Sequence, residues 1–111
     1  SFQKATLLNE VVFNILINTS SYIFPVQTIQ VEGSFDGKNF QSIQKADFTS
    51  MTNGYNALTN INQAQAFKVK MMNQKAFRFY RFILQNLKKL PVWHAGKGTP
   101  AWLFIDEVFF N

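Results

Sequence analysis

Three places in the 111-residue sequence hold side chains that could do chemistry. Asp106-Glu107 sets two carboxylates side by side. His94, the single histidine, follows Trp93 in a stretch bounded by Pro91 and Gly98. Tyr55 lies in a long Asn-rich stretch. Paired carboxylates are the machinery of glycoside hydrolysis, where they flank the scissile bond several Å apart. Neighbours on a strand point to opposite faces, so Asp106 and Glu107 do not form such a pair, and no catalytic residue is assigned. A histidine-centred triad or metal site needs partners at recognisable spacing, and none stands near His94. There are no cysteines, which removes disulfides, thiolate metal sites and thiol nucleophiles. Gly96-x-Gly98 lacks the following helix and the full pattern of a phosphate loop.

Trp93-His94 supports two readings. In one, Trp93 covers the end of the core and His94 holds loop backbone. In the other, Trp93 stacks on the apolar face of a pyranose while His94 contacts a hydroxyl, as loop-borne polar groups do in ligand sites. Tyr55 is the second stacking candidate. Tyr22 anchors the turn before Ile23-Phe24-Pro25, and Trp102 is expected in the core. Glu107 is expected to pair with Arg78 or Arg81.

The elements that must position these residues are strands. Apolar residues make up 47% of the chain, aromatic residues 16% and charged residues 15%, which excludes a disordered tail. No apolar run reaches the roughly 18 residues of a membrane-spanning helix, and Ser1 opens no signal peptide. The net charge is +5, which invites a nucleic-acid reading. The lysines are dispersed, however, and only two arginines are present, so nucleic acid is not expected as a partner. Nor is a membrane surface, because the loops lack a cluster of apolar residues.

Strand signals fall at Ala5–Phe13, bent near Asn9, and at Ile29–Phe35, where Ile29, Val31, Gly33 and Phe35 alternate with polar residues. Asp36-Gly37 is the strongest hairpin signal in the chain, with Phe40–Lys45 as the returning strand. Asp47–Gln65 is expected as a long loop and Phe67–Met71 as an amphipathic strand. A turn follows at Asn73-Gln74-Lys75. Phe77–Asn86, apolar on both faces, is expected as a central strand. Leu87–Pro100 is a second long loop, and Trp102–Phe110 closes the chain as a strand. Six strands with long loops point to an all-β sandwich with Greek-key or jelly-roll connections.

Three segments carry a resemblance. Val31-Glu32-Gly33-Ser34-Phe35-Asp36-Gly37-Lys38-Asn39-Phe40 resembles the hairpin of discoidin domains, also called F5/8 type C domains. Arg78-Phe79-Tyr80-Arg81-Phe82 resembles one of their strands. Pro91-Val92-Trp93-His94-Ala95-Gly96-Lys97-Gly98, followed by Ala101-Trp102-Leu103-Phe104-Ile105-Asp106-Glu107-Val108, resembles the C-terminal discoidin-like domain of bacterial family 20 glycoside hydrolases, the β-N-acetylhexosaminidases or chitobiases. Together the matches run from Phe24 to Phe110.

The resemblance implies that residues 1–111 are one discoidin-like, galactose-binding-domain-like jelly roll, the C-terminal part of a longer enzyme. Its first strands, which carry half of the family's usual calcium site, are expected to be missing. The implied role is a non-catalytic accessory domain of a periplasmic or extracellular hydrolase. Such a domain binds an N-acetylhexosamine or galactose-type glycan weakly through Trp93, His94 and Tyr55. The alternative is a structural module that packs on the parent catalytic domain without sugar affinity. Discoidin domains often place a calcium-binding glutamate on the last strand, which makes Glu107 a calcium-ligand candidate. Calcium takes six to eight oxygens, and the sequence offers no other obvious carboxylate cluster.

Overall fold

The computed structural model describes residues 4–53, 55, 60–72 and 75–110, without the side chains of Asn53, Phe104 and Asp106. Side-chain alternation builds the first sheet. In β1 (Glu10–Asn18), Val11, Phe13, Ile15 and Ile17 are buried, while the residues between them are half-exposed. This is the signature of a strand with one face on the core. β1 pairs antiparallel along its whole length with β4 (Asn62–Lys70). On its other side it pairs antiparallel with β6 (Phe104–Phe110). A bulge between Asn14 and Ile15 shifts the β6 register, so that Asn14 faces Glu107 and Ile15 faces Ile105.

The second sheet has β2 (Thr28–Ser34) at its centre. It pairs antiparallel with β3 (Gln41–Asp47) and β5 (Phe79–Gln85). The strand orders are β4-β1-β6 and β3-β2-β5. The protein is therefore an all-β sandwich of two three-stranded antiparallel sheets. Its main core lies between them, from Val11, Phe13 and Ile15 of β1, Ile29 and Val31 of β2, and Phe67 and Val69 of β4. A satellite core of Phe24, Leu90 and Ala101 lies under the long loops.

The Asp36-Gly37 hairpin forms as the sequence implies. Gly37 has φ +77°, in the left-handed region that favours glycine. The Asp36 carboxylate accepts the backbone N–H groups of Lys38 and Asn39, both at 2.8 Å. These bonds, first that from Asn39, hold the Asp36 carboxyl well below the usual carboxylate range. The Ser34 hydroxyl accepts the Gly37 N–H at 2.9 Å, which ties the turn to the end of β2. A Cβ at Gly33 would lie 2.6 Å from the Phe77 ring, so glycine there permits that ring to close over β2. Gly37→Val is expected to cost about 1–3 kcal/mol through left-handed strain. The melting temperature then falls by about 4–12 °C. Thermal unfolding checks this; an unchanged midpoint would show that the turn tolerates a branched side chain.

Four expectations shift. The first strand begins at Glu10, not Ala5, and Asn9 precedes it. Strict alternation starts only at Val11, whereas Leu7-Leu8 has none. Thr6 makes an isolated bridge to Phe77. Within the expected loop from Asp47, a short helix α1 (Thr49–Asn53) forms. The Asp47 carboxylate accepts the Thr49 N–H at 2.9 Å at its start. β4 begins at Asn62, because β1 offers its full length as a template even to residues without apolar alternation. Finally, β5 is an edge strand rather than a central one. Its outward face carries Arg81, bonded to Glu32 of β2 at 2.6 Å and lying 4.1 Å over the Phe40 ring. A cation with a surface partner, not burial, occupies that face. The expected turn at Asn73-Gln74-Lys75 falls partly on residues outside the described ones.

Candidate ligand cleft at the loop end

The loop from Leu87 to Ala101 is held by its own backbone. Leu90 N–H donates to Thr99 O at 2.7 Å, Ala101 N–H to Leu87 O at 3.0 Å, and Gly98 N–H to Leu90 O at 3.2 Å. His94 pins this loop to the body. One ring nitrogen, Nδ1, accepts the Gly96 N–H at 2.9 Å. The other, Nε2, lies 2.6 Å from Thr19 O. A carbonyl only accepts, so Nε2 carries the proton. The ring meets Tyr22 edge-on at 4.8 Å, and His94 is 8% exposed. Gly96 packs so closely that a Cβ would sit 2.5 Å from the Tyr22 ring.

With both nitrogens engaged, His94 has none left for a sugar hydroxyl. It acts as the internal anchor of the loop, the first of the two readings the sequence allowed. Trp93 packs against the satellite core and remains half-exposed. Its ring lies 5.9 Å from Phe24, centroid to centroid. Tyr55, which follows α1, lies 6.3 Å from the same Phe24 ring. Fully buried Phe24 is thus a common floor for the two aromatic side chains named as stacking candidates. They line one open cleft of about 520 Å³, together with Thr52, Leu87, Lys89 and Pro91.

The cleft combines apolar walls with a few polar groups, the usual make-up of a small-ligand site, and its volume lies in the usual range. Burial pushes the Tyr55 phenol above its ordinary value, so its O–H is a neutral donor and acceptor. The Thr52 hydroxyl already accepts from Gln27 Nε2 at 2.8 Å. Lys89 is exposed and contributes an ammonium. Phe24, Thr52 and Lys89 escaped the sequence reading. The signal for Phe24 was Pro25 beside it, which marks an anchored turn. Nothing in the order of residues placed α1 beside the second loop.

Two other candidates lie apart from this cleft. Trp102, expected in the core, is 71% exposed. Only its backbone is tied down, by the N–H donating to Tyr22 O at 2.8 Å. Trp102 precedes β6 rather than lying within it, so the strand's alternation does not turn its ring inward. Glu107 is exposed on β6 opposite Asn14. Of its two expected partners, Arg78 and Arg81, Arg81 bonds Glu32 instead. Among the described residues no three His, Asp or Glu side chains gather as a metal site. The calcium expectation for Glu107 therefore rests on the resemblance alone. No family model matches the chain, and no curated protein matches it.

Proposed function

We propose that this chain is a non-catalytic, discoidin-like jelly-roll module of a secreted or periplasmic glycoside hydrolase of the β-N-acetylhexosaminidase type. In this reading it binds an N-acetylhexosamine or galactose-type pyranose weakly in the Tyr55–Trp93 cleft. One observation carries the reading. Two aromatic rings from separate loops stand on one buried phenylalanine and border a single open cleft. A pyranose has an apolar face of C–H groups and an equatorial rim of hydroxyls. Trp93 and Tyr55 offer surfaces for the face, and the Tyr55 hydroxyl and Lys89 offer groups for the rim. The Asp36-Gly37 turn and the His94-pinned loop lie in the segments that carry the resemblance. The hydrolytic residues of such an enzyme would then belong to another domain.

An open cleft with few polar groups gives modest affinity, with Kd on the order of mM to tens of μM. Trp93→Ala is expected to weaken binding at least about tenfold, because it removes the larger ring, while His94 still holds the loop. Isothermal titration with N-acetylglucosamine, N-acetylgalactosamine and galactose tests this, with circular dichroism to confirm the fold. Equal affinities for the wild type and the Trp93 variant would move the ligand elsewhere. No heat with any of the three sugars at tens of mM would leave the cleft as loop packing.

A further inference from the structure

The two bonds of the His94 ring depend on its charge. Nε2 lies 2.6 Å from Thr19 O, and Nδ1 lies 2.9 Å from the Gly96 nitrogen. A carbonyl only accepts and an amide N–H only donates. Together the contacts admit a single species, the neutral imidazole with its proton on Nε2. In the imidazolium both ring nitrogens carry protons. The Thr19 bond survives that change. At Nδ1, however, a ring N–H then meets the Gly96 N–H, donor against donor.

Neither group can turn away while the loop stays closed. The Gly96 carbonyl is held by the Thr99 N–H at 3.1 Å and the Thr99 hydroxyl at 2.6 Å. A Cβ on Gly96 would come within 2.5 Å of the Tyr22 ring, so the backbone has no room to move toward Tyr22. The His94 ring lies 4.8 Å from Tyr22, 5.6 Å from Phe24 and 5.7 Å from Trp93, centroid to centroid. Tyr22 is the one titratable side chain among these contacts. Residues 19–24, packed against the ring, include no charged residue, and residues 91–98 include only Lys97, which is exposed. Among the described residues, a charge on the ring therefore meets no carboxylate, and a buried charge without a partner is costly.

We propose that His94 is an acid-sensitive latch on the Tyr55–Trp93 cleft. The loop it holds supplies Leu87, Lys89, Pro91 and Trp93 to the cleft, whereas Thr52 and Tyr55 come from the side of α1. With the ring neutral, the latch is closed. When pH falls, Nδ1 takes a proton from water, the Gly96 bond is lost, and residues 91–98 loosen. Trp93 then loses its fixed place against Phe24. When pH rises, the proton returns to water and the loop closes again. The sign is that of a histidine held neutral by its surroundings: the stability it contributes is present at higher pH and is lost as pH falls. Release of the loop needs no ligand. Its effect on affinity rests on the sugar-binding reading of the cleft.

The test follows the whole chain by NMR from about pH 8 to about pH 5, the range in which an imidazole changes charge. The ring nitrogen signals of His94, the single histidine, report tautomer and charge. Exchange at the Gly96 amide, corrected for the intrinsic pH dependence of exchange, reports the latch. At the upper end the ring should be the Nε2–H tautomer. Gly96 protection should fall at least about tenfold, in step with protonation of the ring, as loss of one hydrogen bond implies. The amides of β1, the middle strand of its sheet, should keep their protection. In His94→Gln, whose side chain does not titrate in this range, Gly96 should show no step with pH.

N-acetylglucosamine, titrated at both ends of the range, should bind at least about threefold more weakly at the lower pH, because only closed loops present the whole cleft. Four outcomes would overturn the latch. These are unchanged Gly96 protection over the range, a ring protonated on Nδ1 at the upper end, an equal loss of protection in β1, and a pH step that persists in His94→Gln. Equal sugar affinity at both ends, with the loop released at one, would overturn its coupling to the cleft. No sugar binding at either end would contradict the sugar reading instead, while Gly96 exchange would still decide whether the latch opens.

Discussion

Phe24→Ala is expected to cost about 3–5 kcal/mol, as loss of a buried aromatic side chain does, and to lower the melting temperature by roughly 12–20 °C. Phe24 is fully buried and touches the rings of Tyr55, Trp93 and His94. Its removal takes away the ring against which Tyr55 and Trp93 both pack as well as the centre of the satellite core. Stability and ligand affinity should therefore fall together. Phe24→Leu fills most of the same volume and should cost less than about 1.5 kcal/mol. It keeps the comparison usable if the alanine variant does not fold. Thermal unfolding of both variants checks the order. Equal stability of wild type and Phe24→Ala would mean that the loop core carries no share of the folding free energy.

His94→Ala should be the next largest loss. The substitution leaves the Gly96 N–H without its acceptor, and Thr19 O with only the Tyr22 N–H at 3.3 Å, in a region that is largely shut off from water. Unsatisfied buried groups cost about 1–3 kcal/mol, and the emptied space adds to that, so a fall of roughly 8–12 °C in the melting temperature is expected. A specific sign accompanies it. The Gly96 amide, protected in the wild type, should exchange much faster once its acceptor is gone. A variant with wild-type exchange at Gly96 would show that the ring does not hold the loop.

The sandwich was legible because Ile29, Val31 and Gly33 alternate with polar residues and further strand signals recur with turns between them. The first strand was legible only in part: the reading ended it at Phe13, and β1 runs on through Ile15 and Ile17 to Asn18. Asp36-Gly37 was legible because its conformation is local chemistry. Position within a sheet was not. The two apolar faces of Phe77–Asn86 suggested a central strand, yet strand order depends on which edges meet in space, and Arg81 with its partner Glu32 is a long-range contact. The same limit explains Trp102. Its flanking residues look like a core strand, but its ring lies beyond the last pair of β1 and β6, where no element covers it. At the cleft, Trp93 and Tyr55 could be picked out by type, as large rings in long loops. That both His94 ring nitrogens are taken up inside the loop while Trp93 stays half-exposed could not, because it depends on the carbonyl of Thr19 lying beneath the loop.

The most direct measurement follows the indole N–H signals during titration with N-acetylglucosamine. The chain has two tryptophans, one in the proposed cleft and one exposed beside β6, so each serves as the control for the other. The Trp93 signal should shift saturably while that of Trp102 stays in place, and the shift should vanish in Tyr55→Ala or be strongly weakened. A Trp102 signal that moves while Trp93 does not, or two signals unmoved at tens of mM sugar, would contradict sugar binding in the Tyr55–Trp93 cleft.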